Sequence, residues 1–535
     1  MRSTVLCCGL LLLACDPDPG ADAGTPLPDA GPVDAARPDA GVDAGPPRVD
    51  LCEGVGVPGP FPAPDAWTNT GPGGPTASYV DADLYEHCAY LDGGDLDTAD
   101  HHNLVVMYDG YLLMPWAPEF GAGGLTFWEF TDPCNPVVVG SGHSPTMRET
   151  HSIGFSNIDG RWAVVNELTI ALFEQGGIQF WDVSDPSAPE PVADLELPGF
   201  QYPDAYARVS LSVFWQAPYV YVGGSDNGVW IVDAADPRAP RYVGVHPFEP
   251  VHRVGQVQAI GNVLVATAAE GARTVLLDIS DPESPQPIPG GDFLAMDTSG
   301  RPREAYFTNV VGGRLLYANK DGGGGLVMYD ITNPSAPTLL GSHISDGNGG
   351  YVFANGDLAF VGESSFATIY DISDPSTITE VQRLDLVGDL DTAAPVGNVV
   401  VLSVDDEAMP DQGSAVVPYA TAPDTRAPVV RWVWPADGAT GLRTSSRVGI
   451  SFDEMVDVNS AHEGSVRLYR AGGTPDEGRV ATIVSAQESI VNVHPRCPLE
   501  PNTEYVLEVM TGGVADFSGN PLTETTTVHF TTGPE

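Results

Sequence analysis

One short motif occurs six times in this sequence, and this repetition limits the folds that the chain can adopt. Each copy has an apolar pair or triplet and an acid, followed by Ser, Thr or Ala, then Asp or Asn, then Pro. The prolines lie 53, 51, 45, 52 and 41 residues apart, at Pro133, Pro186, Pro237, Pro282, Pro334 and Pro375. A period of this size indicates that one supersecondary unit is repeated.

A short β-rich run precedes each motif, and a seventh run (398–405) follows the last one. The runs are rich in Val, Tyr, Leu and Phe, and the Asp-Pro steps are typical of turns that end strands. A unit of ~45 residues with about four strands has the size of a propeller blade. We therefore predict an all-β chain with a seven-bladed β-propeller over 101–423. The N-terminal extension (51–100) is expected to close the ring by supplying an outer strand from within 78–91.

The repeat resembles the LVIVD repeat of bacterial surface proteins, and the best copy is GVWIVDAADPRAPRYVG at 228–244. The resemblance covers roughly residues 100–425 and implies a β-propeller. It implies little about function, because the shared residues are those of turns and of the core.

The pattern changes near Asp424, where short alternating strands and regular turns predict a β-sandwich over 424–535. The order of landmarks such as WPADG (434–438) and GVADFSGNPL (513–522) resembles bacterial Ig-like domains. Such domains act as spacers or as interaction units, so the resemblance implies no chemistry here.

The N-terminal 15 residues resemble a bacterial lipoprotein signal peptide that ends at Cys15, the expected site of lipidation. An ordinary cleaved secretory signal is the alternative. Residues 16–50 repeat Asp-Ala-Gly among prolines, a composition that cannot bury a core and is typical of a disordered tether. We expect a lipid-anchored protein of the cell envelope, at the outer membrane or the cell surface.

Four cysteines remain beyond the signal, namely Cys52, Cys88, Cys134 and Cys497. An exported protein reaches a compartment that permits disulfides. We predict a Cys52–Cys88 disulfide, because both residues precede the first blade. Buried free thiols are the alternative.

The net charge is −49, with 23 Lys+Arg against 72 Asp+Glu. A field of this sign repels nucleic acid and anionic lipid. Nucleic-acid partners are therefore not expected, and the membrane is expected to be contacted only through the lipid. The sequence contains no nucleophile elbow, His-Glu-x-x-His motif, P-loop or EF-hand loop.

Loops between consecutive blades gather on one face of a propeller, and basic residues recur in these loops. The candidate ligand-binding residues are His102, Arg148, His151, Arg208, His252, Arg253 and Arg303. Converging Arg and His side chains would bind a carboxylate, sulfate or phosphate, and the histidines would alternatively hold a metal. The competing interpretation is a set of solvated rim residues with local ion pairs.

The hexapeptide Gly-Asp-Leu-Asp-Thr-Ala occurs both at 94–99 and at 388–393. Its carboxylates, Asp95, Asp97, Asp389 and Asp391, are candidate ligands for Ca²⁺, which prefers several carboxylate oxygens. The spacing matches no standard calcium loop, so an Asp-rich turn is the alternative. No other cofactor is expected.

These features favour a monomeric, non-enzymatic lipoprotein that displays a binding or adhesion propeller on a tether. Its expected partner is a protein, a glycan or a small anion. A propeller hydrolase or lyase that uses the His/Arg loops is the rival hypothesis. A purely structural envelope component is the third.

Overall fold

The computed structural model describes residues 46–66, 71–91, 104–117, 122–147, 150–168, 176–199, 210–224, 227–320, 322–405 and 407–534. These residues form nine four-stranded sheets and very little helix. Cys15 and the predicted tether lie outside the described residues. No helix among the described residues is long and apolar enough to span a membrane.

Seven sheets come from residues 89–418, and two come from the C-terminal part. The strands of the seven sheets are β1 (Ala89–Leu91), β2 (Val106–Tyr108), β3 (Tyr111–Trp116), β4 (Gly123–Glu129), β5 (Val137–Ser144), β6 (Gly154–Ser156), β7 (Trp162–Leu168), β8 (Gly176–Asp182), β9 (Glu190–Glu196), β10 (Ser210–Gln216), β11 (Tyr219–Gly224), β12 (Val229–Asp233), β13 (Arg241–His246), β14 (Val254–Ile260), β15 (Val263–Ala268), β16 (Arg273–Asp278), β17 (Gln286–Leu294), β18 (Ala305–Val311), β19 (Arg314–Asn319), β20 (Gly325–Asp330), β21 (Thr338–Ile344), β22 (Val352–Asn355), β23 (Leu358–Gly362), β24 (Ala367–Asp371), β25 (Thr379–Leu384), β26 (Thr392–Val396), β27 (Val399–Ser403) and β28 (Ser414–Pro418).

The strands of the C-terminal part are β29 (Val430–Trp434), β30 (Ala439–Leu442), β31 (Val448–Phe452), β32 (Val466–Arg470), β33 (Thr482–Gln487), β34 (Ile490–Pro495), β35 (Glu504–Val509) and β36 (Thr526–Thr532). Two short helical turns accompany them, a 3₁₀ turn at Val458–Ser460 and a helix α1 at Pro475–Gly478, and one further 3₁₀ turn at Asp81–Asp83 precedes β1.

We number the seven sheets in chain order. Sheets 1 to 6 each consist of four consecutive antiparallel strands, beginning with β2–β5 and ending with β22–β25. Middle strands such as β11 and β15 are buried along their whole length, whereas last strands such as β9 are partly exposed. Stacked neighbouring sheets cover both faces of a middle strand, which explains why these runs are continuously apolar.

The Asp-Pro motif forms the turn between the third and fourth strands of a sheet. In sheet 2, the Asp185 side chain accepts the N–H of Ser187 (2.9 Å), and its carbonyl oxygen accepts the N–H of Ala188 (3.0 Å). Asp374 in sheet 6 makes the same two bonds to Ser376 and Thr377. The motif therefore recurs because Asp bonds to nearby backbone while Pro fixes φ.

Sheet 7 takes its fourth strand from upstream of sheet 1. Its order is β26-β27-β28-β1, and Ala89 pairs with Val416. A disulfide joins Cys88, next to β1, to Cys134 in the β4–β5 turn of sheet 1. The last sheet thus contains a strand that precedes the first sheet in the sequence, and a disulfide joins these two sheets.

The predicted Cys52–Cys88 disulfide is wrong. Cys52 instead pairs with Cys497, which lies 445 residues away in the C-terminal part. The segment around Cys52 packs on that part, because Arg479 donates to the carbonyl oxygens of Gly59 and Pro60. Cys88 lies on sheet 7, so proximity in sequence does not bring the two thiols together.

The C-terminal part is a β-sandwich of two sheets, β29-β31-β34-β33 and β30-β36-β35-β32. Its core joins Phe452 and Val491 of one sheet to Leu468 and Leu507 of the other, and all four side chains are fully buried. We call residues 429–532 the C-terminal sandwich. The predicted all-β class, with a propeller followed by an Ig-like sandwich, is confirmed.

Candidate functional site

The C-terminal sandwich docks on one face of the propeller, where each sheet has the turn between its first and second strands. All seven turns contact it. These contacts are Gly110 N to Asp457 Oδ2 (2.8 Å), Asp159 to Arg496 (2.9 Å), Ala217 N to Ser485 Oγ (3.2 Å), Gly261 N to Asn492 Oδ1 (2.9 Å), Gly312 N to Ser451 Oγ (2.8 Å), Gly356 N to Asp453 O (3.0 Å), and Gly397 against Ser518.

The close approach requires glycine at one of these turns. Gly261 has φ +53°, and a Cβ atom there would lie 2.5 Å from the Trp434 ring. A side chain at this position would push the sandwich away from sheet 4. The docking is therefore encoded in the propeller turns as well as in the sandwich.

The β33–β34 turn of the sandwich extends to the centre of the propeller. The first strands of neighbouring sheets contact one another from sheet 2 to sheet 7, so they surround this centre. Gln487 binds the backbone of Val213 on β10 (2.9 Å), and Ser489 donates to Val310 O on β18 (2.6 Å). Gln258 on β14 donates to Glu488. This end of the axis is closed by the sandwich.

Glu488 is a half-buried acidic residue at this closed end. Burial raises its pKa to about 7, and the hydrogen bond from Gln258 opposes that rise. A small cavity beside it is lined by Val105, Ile153 and Phe353 of the propeller and by Phe517 of the sandwich. The surroundings are therefore apolar, and they favour the protonated acid.

Aromatic side chains from three sheets stack across the propeller. The ring of Phe307 lies 4.0 Å from that of Tyr351 and 5.0 Å from that of His151. His151 Nδ1 and the Tyr351 hydroxyl are 2.7 Å apart. Because these residues belong to loops or first strands of sheets 2, 5 and 6, the stack fills space near the axis.

His151 is thus a buried member of this stack, and the other predicted basic residues have different partners. His252 is buried against Phe248, and its Nε2 lies 3.2 Å from Ala266 O. Burial lowers the pKa of His252 to about 4, so it is neutral at pH 7. Arg253 pairs with Glu270 (3.0 Å), and Arg303 pairs with Asp297 (2.7 Å).

Each of these four residues therefore has partners in the structure, and both arginines pair with a carboxylate. His102, Arg148 and Arg208 lie outside the described residues, so the convergence of the whole set stays a prediction.

Of the predicted calcium ligands, Asp95 and Asp97 lie outside the described residues. Asp389 and Asp391 organise a turn, in which the Asp389 carbonyl oxygen accepts N–H bonds from Asp391 (3.1 Å) and Asp405 (2.7 Å). The Asp391 carbonyl oxygen accepts the N–H of Tyr351 (2.8 Å). These contacts position the loop that carries the aromatic stack.

A different acidic group lies where the sandwich meets sheets 6 and 7. Carboxylate oxygens of Asp424, Glu454 and Asp516 lie within 4.8 Å of one another. Burial raises the pKa of Glu454 to about 9 and that of Asp516 to about 7. Arg426 contacts Glu454, so this group is a partly neutralised buried cluster. Sequence reasoning missed it because Glu454 and Asp516 are 62 residues apart (516 − 454).

Two family models match the chain. The LVIVD repeat matches residues 212–245, 319–344 and 346–385, and the model described as bacterial Ig-like domain matches 424–532. No curated protein matches the chain.

Solved structures with a similar chain path have very different sequences. One is a protein from Lactobacillus plantarum, at 12% identity and a TM-score of 0.43, with coverage of 57% of this chain and 96% of that one. Another is a putative 6-phosphogluconolactonase from Bacteroides uniformis, at 10% identity and a TM-score of 0.42, with coverage of 52% and 84%. A third is the computationally designed Ika8 protein, at 12% identity and a TM-score of 0.40, with coverage of 77% and 99%.

These likenesses are too distant to carry an argument about function. Together, the matched repeats, the sheet order and the docked sandwich establish that the chain carries LVIVD repeats in a β-propeller and a bacterial Ig-like domain at its C-terminal end.

Proposed function

We propose that this chain is a cell-envelope lipoprotein that displays a non-enzymatic binding or adhesion propeller on a tether. Its N-terminal sequence resembles a lipoprotein signal followed by a tether composition. The two disulfides of the described structure suit a compartment outside the cytoplasm. Its partner is a protein, a glycan or a small anion of the envelope or the extracellular space.

The packing of the propeller axis is the observation that supports a non-enzymatic function. The sandwich turn at Glu488 occupies one end of the axis, and the stack of His151, Phe307 and Tyr351 occupies space further along it. A substrate pocket needs a cleft with a few convergent polar groups. Within the described residues, the β33–β34 turn of the sandwich and this stack occupy the centre instead.

The position of the N-terminal segment supports a display role. Residues 46–66 lead to the sandwich, where Cys52 binds Cys497 and the Phe61 N–H donates to Asp476 (2.9 Å). In this proposal the tether continues from this segment, and the partner binds the propeller loops that connect consecutive sheets.

Metabolic labelling with a radioactive fatty acid tests the anchor. We expect the chain to incorporate label in a globomycin-sensitive way, and Cys15→Ser is the matched control that should abolish it. Protease treatment of whole cells then tests display at the surface. Equal labelling of the Cys15→Ser variant would contradict the lipid anchor.

The rival function, a hydrolase or lyase at the His/Arg loops, makes a different prediction. It requires turnover of a substrate that is lost on substitution of Arg253 or Arg303. If such turnover were found in the purified chain, the non-enzymatic proposal would be rejected.

A further inference from the structure

A cleft of about 700 Å³ lies between the sandwich, sheets 3 and 4, and the segment around Asp50. Four arginines line it, namely Arg48, Arg443, Arg447 and Arg496. The whole chain has only 23 Lys+Arg against 72 Asp+Glu, so four arginines in one cleft are an unusual concentration; the acids Asp50, Asp233, Asp281 and Glu283 line it as well. We call it the arginine cleft. It lies apart from the loops that carry His151, Arg253 and Arg303, and it is not part of the function proposed above.

Arg447 is the buried member of the cleft. Its side chain is fully covered, and one guanidinium nitrogen donates to Ile279 O. The Nε and Nη1 atoms are buried without a well-aligned hydrogen bond, and the neutral Tyr221 side chain is in contact with the guanidinium. Within the described part of the chain, no carboxylate forms an ion pair with this residue. A buried charge without a counter-charge is costly, so the site favours an anion.

Two polar side chains lie beside Arg447, namely Tyr221, whose hydroxyl makes a hydrogen-bond contact with the Arg447 side chain, and His494, whose buried Nδ1 has no partner within the described residues. Burial raises the pKa of Tyr221 to about 12, and the Arg447 charge opposes that rise. Burial lowers the pKa of His494 to about 3, and the charges of Arg447 and Arg496 act in the same direction. Both side chains are therefore neutral at pH 7, and each can donate a hydrogen bond. The Arg447 guanidinium therefore has neutral polar neighbours but no counter-charge among them.

Four carboxylates also line the cleft, and each has a hydrogen-bond or ion-pair partner of its own. Their partners are Arg48 for Glu283 (3.0 Å), Arg241 for Asp233 (3.1 Å), the N–H of Cys52 for Asp50 (2.9 Å), and the N–H of Glu283 for Asp281 (3.2 Å). Arg496 pairs with Asp159 (2.9 Å). Arg443 is exposed at the rim and makes no ion pair within the described residues. Arg443 and Arg447 are left to attract a ligand.

We propose that the arginine cleft binds a small molecule through a carboxylate, sulfate or phosphate group. Arg447 and His494 form its donor-rich floor, and Arg443 attracts the anion at the rim. The cleft volume falls within the range of small-molecule sites, which is about 300–1,000 Å³. An anion at this position supplies the counter-charge that Arg447 lacks.

Isothermal titration calorimetry tests the proposal on the purified, disulfide-bonded chain, at one ionic strength held constant with NaCl. The probes are sodium glucuronate, sodium sulfate and inorganic phosphate. We expect saturable binding of at least one probe, weakened several-fold in Arg443→Ala and unchanged in Arg470→Ala. Arg470 is the matched control, because it is a sandwich arginine that pairs with Glu500 and does not line the cleft. Glucuronate binding alone identifies a carboxylate ligand, and sulfate or phosphate binding identifies a tetrahedral oxyanion.

A second variant, Arg447→Met, separates binding from folding. Because it removes a buried charge without a partner, the unfolding midpoint without ligand should stay the same or rise. Binding should weaken at least tenfold. If no probe binds saturably, or if binding is equally tight in Arg443→Ala and Arg447→Met, the proposal is overturned. If Arg447→Met does not fold, the affinities of Arg443→Ala and Arg470→Ala decide whether the probe binds in the cleft. Equal affinities of these two variants would then overturn the proposal.

Discussion

Cys88 and Cys134 link the two ends of the propeller, because Cys88 precedes the outer strand of sheet 7 and Cys134 lies in a turn of sheet 1. The Cys88 N–H also donates to Val416 O (2.9 Å), which places the disulfide beside the strand pairing. A closed array of sheets depends on the contact between its first and last members. The disulfide therefore holds together the first and last sheets, which are the two sheets between which the array would otherwise open.

The double substitution Cys88→Ser with Cys134→Ser tests this role. Loss of a disulfide that closes a loop of this length destabilises a protein by about 2–4 kcal/mol, chiefly by freeing the unfolded chain. We expect a lower denaturant midpoint under non-reducing conditions, measured by tryptophan fluorescence. If the midpoint stays the same, the disulfide has no part in closing the array.

Glu488→Gln tests the half-buried acid at the axis. In the folded state the pKa is about 7, well above the usual value of 4.5, so this group binds its proton more tightly when folded. Its stabilising contribution is present below pH 4.5 and is lost as the pH rises towards 7 and beyond. We expect the Gln variant to be more stable than the parent at pH 8, on the order of 2 kcal/mol.

At pH 4.5 the difference between parent and Glu488→Gln should nearly vanish, because the acid is then protonated in the folded protein. Denaturant titration at both pH values measures the two differences. If Glu488→Gln stabilises the protein equally at pH 4.5 and at pH 8, the pKa of Glu488 is not raised in the folded protein.

Tyr351→Phe tests the aromatic stack. The substitution removes a hydroxyl that lies 2.7 Å from His151 Nδ1, while it keeps the ring that stacks on Phe307. A net loss of about 0.5–1.5 kcal/mol is expected from one buried hydrogen bond. Thermal unfolding measures it. Tyr90→Phe, at an exposed residue of β1, is the control and should have little effect.

Asp457→Ala tests the docking of the sandwich on sheet 1. The carboxylate accepts the N–H groups of Asp109 (3.0 Å), Gly110 (2.8 Å) and Asn459 (3.0 Å), and Ala would leave all three without this acceptor. We expect a loss of about 2–4 kcal/mol, because buried donors would be unsatisfied. Asp457→Asn keeps one acceptor oxygen and should lose less. If the two variants are equally stable in urea titrations, these bonds do not hold the sandwich.

The sequence predicts the repeated sheet well because its signals are local. The Asx bonds of Asp185 and Asp374 and the apolar middle strands depend only on nearby residues. The disulfides and the docking depend on contacts between residues hundreds of positions apart. Asn492 and Ser451 occur in ordinary strands, and nothing in their neighbourhood indicates that they bind propeller turns.

The candidate sites show the same difference between local sequence signals and long-range contacts. Loop positions identified His151 and Arg303 as polar residues near one face, but their burial and their partners, Tyr351 and Asp297, depend on the packed fold. Arg447 has no sequence motif around it. It becomes notable only because folding buries its guanidinium without a carboxylate.

The most direct test of the account is hydrogen exchange at Gly110, Gly261 and Gly312. These glycines lie in propeller turns, and their N–H groups donate to Asp457, Asn492 and Ser451 of the sandwich. If the sandwich closes the axis as described, the three amides should exchange slowly, at rates close to those of the buried strands. Exchange as fast as that of exposed turn amides would contradict the docked sandwich and the closed axis, on which the proposal of a non-enzymatic function depends.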